Sequence, residues 1–142
     1  MRRIKPEFMP VQEKTRLSFA DVSLVKDDII CIDFLDEEPL NVEKGIQIVE
    51  IIKKIGNNRP CVVIYNVGDK YIFSSNALRF MGSQFNAEEH GYLARAIVST
   101  NSAARITSNN FIKFYKPLVP TKLFSDVDAA LTWAEEIIAC LP

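Results

Sequence analysis

The run Cys61-Val62-Val63-Ile64-Tyr65 sets five apolar side chains in succession with no polar residue between them. Successive side chains of a strand point to opposite faces of its sheet, so such a run has no face to show to water. It predicts an inner strand covered on both sides, and a sheet buried that way needs helices as its cover. The chain supplies them. Asn41 is a suitable N-cap, Val42, Ile46, Val49 and Ile52 recur at helical spacing, and Glu43, Gln47, Glu50 and Lys54 mark a wet face before Gly56 ends the helix. Near the other end, Ser125-Asp126-Val127-Asp128 resembles a capping box with Asp in place of Glu. Val127, Leu131, Ala134, Ile138 and Leu141 then form a single apolar stripe.

Further strands fill the intervals. Val22 to Val25 and Ile29 to Phe34 flank Asp27-Asp28 and predict a hairpin with an apolar second strand. Arg16 to Phe19 extends the first of these or forms a strand of its own. Ala94 to Ser99 reads as another inner strand, and Thr121 to Phe124 as a short last one. A short helical stretch is expected near Ala87 to Leu93. Asn101 is placed to cap a helix that ends before Pro117, because a residue preceding proline disfavours the helical region. Strands alternating with helices predict an α/β sandwich: a mixed central sheet of four to five strands packed against α-helices. At 142 residues one core suffices. Residues 1–14, with two prolines and scattered charges, are expected as a flexible arm, and 15–142 as the domain.

Charge narrows the function classes. Lysine plus arginine total 17 against 18 acidic residues, and the two signs are interspersed. No basic face for a phosphate backbone follows, so nucleic acid is not an expected partner. The basic start, Met1 to Lys5, is not followed by an apolar signal core, and no run approaches a membrane span. The expected compartment is the cytoplasm. Cys31, Cys61 and Cys140 lack any C-x-x-C spacing, and the first two fall in strands, where a thiol acts as a small hydrophobe.

No catalytic set emerges. His90 is the only histidine and sits beside Glu88 and Glu89, as a surface residue would. The five glycines are dispersed, so no phosphate-cradling loop forms. Asp36-Glu37-Glu38 reads as a solvated acidic turn rather than a cation site. An enzyme would have to set Arg79, Arg95 or Arg105 against carboxylates, and no motif supports one. The chain is therefore read as non-enzymatic, with no cofactor and no metal.

Two segments invite contact with another molecule. After the apolar strand comes a polar turn, Asn66 to Lys70, and then Tyr71-Ile72-Phe73-Ser74-Ser75-Asn76-Ala77-Leu78-Arg79-Phe80. Ser74 and Ser75 stand where a new helix should begin. There they act as an ordinary N-cap or as a site where added negative charge is favoured by the helix dipole. Asn66, Asp69, Lys70 and Asn76 are the candidate partner-binding residues around them. The second segment is Phe111-Ile112-Lys113-Phe114-Tyr115. Five consecutive helical positions cover most of the circumference, so one sheet cannot bury all four apolar side chains. A neighbouring helix covers the surplus, or a second copy does through Phe111, Phe114 and Tyr115 in a homodimer. Phe73, Phe80 and Phe85 form a further aromatic group, which fills the core or lines a pocket for a small apolar ligand or nucleotide.

The order strand, strand, helix, strand, serine-led helix, strand, helix, strand, helix resembles the STAS domain family, over roughly residues 15–141. That family includes anti-sigma-factor antagonists and the cytoplasmic tails of sulfate transporters. In its antagonists a loop Asp-Ser-Ser-Gly-Leu follows the central strand, and a partner kinase phosphorylates the first serine. Phe73-Ser74-Ser75-Asn76-Ala77-Leu78 is similar to that loop, with Phe73 in place of the acidic residue and Asn76 in place of glycine. The resemblance thus implies Ser74 as phospho-acceptor and a protein partner, a kinase or an anti-sigma-like regulator. The pattern Asn110-Phe111 to Lys116-Pro117, Pro120-Thr121, Phe124, Ala130 and Trp133 is more closely similar to uncharacterised bacterial STAS-like proteins, which implies a fold more than an activity.

Overall fold

The computed structural model describes residues 13–26, 28–70, 92–116 and 119–141. Their strands are β1 Glu13–Arg16, β2 Ala20–Lys26, β3 Ile29–Phe34, β4 Cys61–Gly68, β5 Tyr92–Ser99 and β6 Thr121–Phe124. Their helices are α1 Val42–Ile55, α2 Ser102–Tyr115 and α3 Val127–Ala139. All six strands form one sheet in sequence order. The expected mixed sheet is present, but with six strands rather than four to five. The addition is β1, a strand of its own, which pairs with β2 from Glu13 opposite Leu24 to Arg16 opposite Asp21.

The first three strands pair antiparallel and the remaining pairs are parallel. This split dictates where the helices lie. Parallel neighbours need crossovers, which are right-handed, and the sheet grows in one direction from β3 to β6. The crossover helices α1 and α2 therefore share a face. α3, which follows the last strand, covers the opposite one.

Two core layers result. On the α1/α2 side, Ile30, Ile32, Val63, Tyr65, Val67, Tyr92 and Ile97 of the sheet pack with Ile48, Val49, Ile52, Ile55 and Phe111. On the α3 side, Ile29, Cys31, Val62, Ile64, Ala94, Ala96 and Val98 meet Val127, Ala130, Leu131 and Ala134. The run Cys61 to Tyr65 is buried throughout and divides between the layers by its alternation.

Local signals explain the boundaries. The Asn41 side chain accepts from Lys44 N at 2.8 Å and caps α1. Asn101 does the same for α2 through Ala104 N at 2.9 Å. At α3 the cap is Asp126, accepting from Ala129 N at 2.8 Å, so the start falls one residue later than a capping box on Ser125 would set it. Gly56 ends α1 with an ordinary right-handed backbone; Asn57 and Asn58 take the left-handed turn that follows. Asparagine tolerates that region through its short polar side chain.

Other expectations shift. The buried stripe of α1 is Gly45, Ile48, Val49, Ile52 and Ile55, whereas Val42 and Ile46 are 42% and 45% exposed. The helix is rotated about its axis relative to the expected stripe, because Ile48 and Ile55 offer more apolar area in register with Ile52. Leu141, expected on the α3 stripe, lies beyond the helix and is exposed. β4 continues to Gly68, so Asn66, Val67 and Gly68 are strand residues and the turn is confined to Asp69 and Lys70. Tyr92 and Leu93, expected at the end of a helical stretch, open β5.

Candidate functional site

The candidate partner residues Asn66, Asp69 and Lys70 lie at the carboxyl end of β4 and in the turn after it. Asn66 is a strand residue and not part of the turn. Its Nδ2 donates to Asp33 Oδ1 at 2.7 Å and it is half-buried, linking β4 to β3. Gly68, at φ +65°, turns the chain out of the sheet, a conformation glycine adopts at no steric cost. Its carbonyl accepts from Thr100 N at 2.8 Å. Asn101 ties the turn down from the other side by donating Nδ2 to Asp69 O at 3.1 Å while its Oδ1 caps α2. Asp69 is exposed and Lys70, like Asn66, half-buried, beside the start of α2. Ser74, Ser75 and Asn76 lie outside the described residues, as do His90, Arg79, Phe73, Phe80 and Phe85.

Arg105 closes the neighbouring corner. Its Nη1 donates to Ser99 O at 2.6 Å, Phe124 O at 3.2 Å and Ser125 Oγ at 3.3 Å, joining α2 to the ends of β5 and β6. It serves as a clamp, donating to two carbonyls and a hydroxyl. Among the described residues no three or more His, Cys, Asp or Glu side chains converge as a metal ion would require.

The aromatic helix α2 resolves into two sides. Phe111 is 2% exposed and belongs to the core, so it is not part of a surface patch. Phe114 is 70% exposed, and the side chain of Tyr115 lies outside the described residues. The outward positions of α2 are Ser102, Ala103, Ile106, Asn109, Asn110, Lys113 and Phe114, with Ile106 itself 62% exposed. One charge, Lys113, stands on this side, and its Nζ lies 5.9 Å from the centre of the Phe114 ring. On α1, by contrast, the exposed positions include Glu43, Glu50, Lys53 and Lys54. A charge-poor helix face bearing an aromatic and a branched apolar side chain has the composition of a protein interface core.

One polar group lies inside the core. Arg95 on β5 is 2% exposed, with its guanidinium carbon 5.0 Å from the centre of the Tyr92 ring. Arg95 is opposite Val63 on β4, and Tyr65 is two residues farther along that strand. Burial above all pushes the phenols of Tyr65 and Tyr92 upward from their usual value, against the opposing pull of the Arg95 charge. Both are therefore neutral hydroxyls at any ordinary pH. The Arg95 charge and the Tyr92 hydroxyl are near enough to Tyr65 to act on its ionisation, yet among the described residues neither Tyr65 Oη nor Arg95 Nε and Nη2 has a partner in good hydrogen-bond geometry. An arginine between two alanines of an apolar strand is the one trace this leaves in the order of residues.

Comparison with known proteins places the chain. A solved structure from Shewanella loihica PV-4, an uncharacterised protein of the DUF3478 family with a SpoIIAA-like fold, superposes with a TM-score of 0.55 at 15% identity. The match covers 81% of this chain and 91% of that one. The expected STAS-like architecture is thereby borne out, at the level of fold. No curated protein matches the sequence. Among the described residues no helix is long and apolar enough to cross a membrane. A family model for a domain of unknown function, DUF7793, matches residues 23–138, from β2 through most of α3, and the chain belongs to that family.

Proposed function

We propose that this STAS-like domain is non-enzymatic and acts by binding another protein through the outward face of α2 and the adjoining turn at Asp69-Lys70. The observation that carries the reading is the exposure of Ile106 and Phe114 on a face with one charge. Large apolar side chains grouped on a charge-poor face lose unfavourable hydration when a partner covers them. The neighbouring Asn101–Asp69 link fixes the turn against the helix start, so the two surfaces are presented together. The family resemblance adds a switch. Phosphorylation of Ser74 or Ser75, a few residues beyond Lys70 in sequence, would add charge and acceptor oxygens and alter the choice of partner.

The test is site-specific photo-crosslinking in the native cell, with the crosslinker at Asn110 on the outward face. Wild type is compared with Ile106→Ser/Phe114→Ser and with Ser74→Asp, and sedimentation of the purified proteins identifies a self-complex. A discrete adduct lost in the double variant, with melting temperature unchanged, is the expected result. An adduct pattern identical in all three proteins, with identical sedimentation, would defeat the reading.

A further inference from the structure

The buried guanidinium of Arg95 has no counterpart in a protein-docking reading, which concerns the outer face of α2. A guanidinium keeps its charge at any working pH and offers five N–H donors. Removing such a group from water is costly unless an opposite charge and hydrogen bonds replace the lost hydration. The two phenols beside Arg95 are neutral, so they offer dipoles and a ring face but no compensating charge.

The two unpartnered nitrogens are Nε and Nη2. They form one side-on edge of the guanidinium, two parallel donors spaced to match the two oxygens of a carboxylate or two of a phosphate. The same chain shows this edge engaged elsewhere. Arg16 directs its Nε to Asp21 Oδ1 and its Nη2 to Asp21 Oδ2, the latter at 2.9 Å. At Arg95 the edge is the same, but among the described residues no carboxylate meets it. Tyr65 Oη, close to Arg95 but not in good hydrogen-bond geometry with it, adds a third donor nearby. Around these groups the α1/α2 core layer is apolar, with Val63, Ile97 and Phe111 among its members.

We propose that Arg95 and Tyr65 anchor an interior ligand site that binds the oxyanion head of a small molecule with an apolar body. The Nε/Nη2 edge takes two oxygens of a carboxylate or phosphate, Tyr65 donates to one of them, and the apolar body lies in the core layer under α2. The head supplies the negative charge that the described residues do not bring to Arg95.

The probes are octanoate, octanol and inorganic phosphate, titrated into the full chain and followed by calorimetry and thermal melting. Octanoate is expected to bind saturably and raise the melting temperature, octanol to have little effect, and Arg95→Met to weaken octanoate by roughly tenfold or more, as losing a charged hydrogen-bonded pair implies. Arg95→Lys retains the charge but lacks the fork, and is expected to lose most of the affinity as well. If Arg95→Met does not fold, the wild type still decides the question. In arginine-labelled NMR spectra, the Nε–H signal that is missing in Arg95→Lys must shift along the octanoate titration. Phosphate binding as tightly as octanoate would overturn the apolar body. No saturable response to either anion, an unchanged octanoate affinity in a folded Arg95→Met, or a stationary Arg95 signal would overturn the site.

Discussion

Raising the pH from 7 to 10 should destabilise this fold through four buried groups among the described residues. Cys31 on β3 and Cys61 on β4 are both buried. Burial, reinforced by Asp28, pushes the Cys61 thiol from its usual 9.0 up to about 12, and burial with a smaller contribution from Asp33 pushes Cys31 higher still. Above pH 9 the unfolded chain releases these protons while the folded chain holds them. The native state then binds more protons than the unfolded state, so stability falls as pH rises. This contribution is intact below the unfolded value and is lost progressively from there toward the folded one. At pH 10, one unit above the usual thiol value, each group favours unfolding by about 1.4 kcal/mol, or about 2.8 kcal/mol for the pair. Tyr65 and Tyr92, half-ionised in the unfolded chain at pH 10, add about 0.8 kcal/mol together by the same linkage. Urea denaturation under reducing conditions at pH 7, 8, 9 and 10 measures the sum, expected at about 3.6 kcal/mol with an unchanged denaturant slope. Cys31→Ala/Cys61→Ala should start less stable at pH 7 but lose only about 0.8 kcal/mol over the same range, the share of the two phenols. Parallel pH curves for the two proteins would refute the reasoning. So would rapid reaction of all three cysteines of the native protein with a thiol reagent at pH 9, where the exposed Cys140 alone should react.

Two substitutions test how α2 and the strand rim are built. Phe111→Ala should cost about 3–5 kcal/mol, because it empties a fully buried site, while Phe114→Ala on the same helix should stay within about 0.5 kcal/mol; equal effects in denaturation would contradict the division of α2 into core and surface. Gly68→Ala should cost about 1–2 kcal/mol from its positive φ alone, since an added methyl would find nothing closer than Lys70 Nζ at 3.9 Å. Gly68→Asn should recover part of that loss, and a neutral Gly68→Ala in thermal melting would show that the turn relaxes.

The apolar run Cys61 to Tyr65 led to the architecture because burial on both faces leaves few arrangements open to a chain of this size. The caps at Asn41 and Asn101 were equally legible, since a short polar side chain before an apolar period has one common use. What stayed out of reach depended on partners distant in sequence. Glu13 to Arg16 has no apolar pattern and becomes a strand because β2 offers it an edge and Asp21 offers Arg16 a carboxylate. The rotation of α1 depends on which of its apolar residues the sheet accepts, which periodicity cannot tell when Val42, Ile46, Ile48 and Ile55 are all available. Asn66 looked like a turn residue by type, yet Asp33, 33 positions earlier, holds it in the strand.

Arg95 shows most clearly why the inner site was hidden. The α3 side of β5 is lined by Ala94, Ala96 and Val98, small residues that meet Ala130 and Ala134 and let that helix lie close. Alternation therefore sends Arg95 to the other face, into the layer of Tyr65, Tyr92 and Ile97. A one-residue slip in register would expose the guanidinium to the α3 layer and move the alanines under α2, and such a slip reverses every side chain of the strand. The parallel ladders to β4 and β6, with Val63 opposite Arg95 and Thr121 on its other side, forbid it. The charge is thus held inside by the packing of alanines on the far face, with no carboxylate beside it among the described residues. A fold that carries an uncompensated cation for packing reasons alone would be more stable with methionine there, whereas one that carries it to hold an anion gives up that stability for binding. The sign of the stability change in Arg95→Met, measured with and without octanoate, separates the two: stabilisation in the absence of the anion, reversed in its presence, is what a binding role requires.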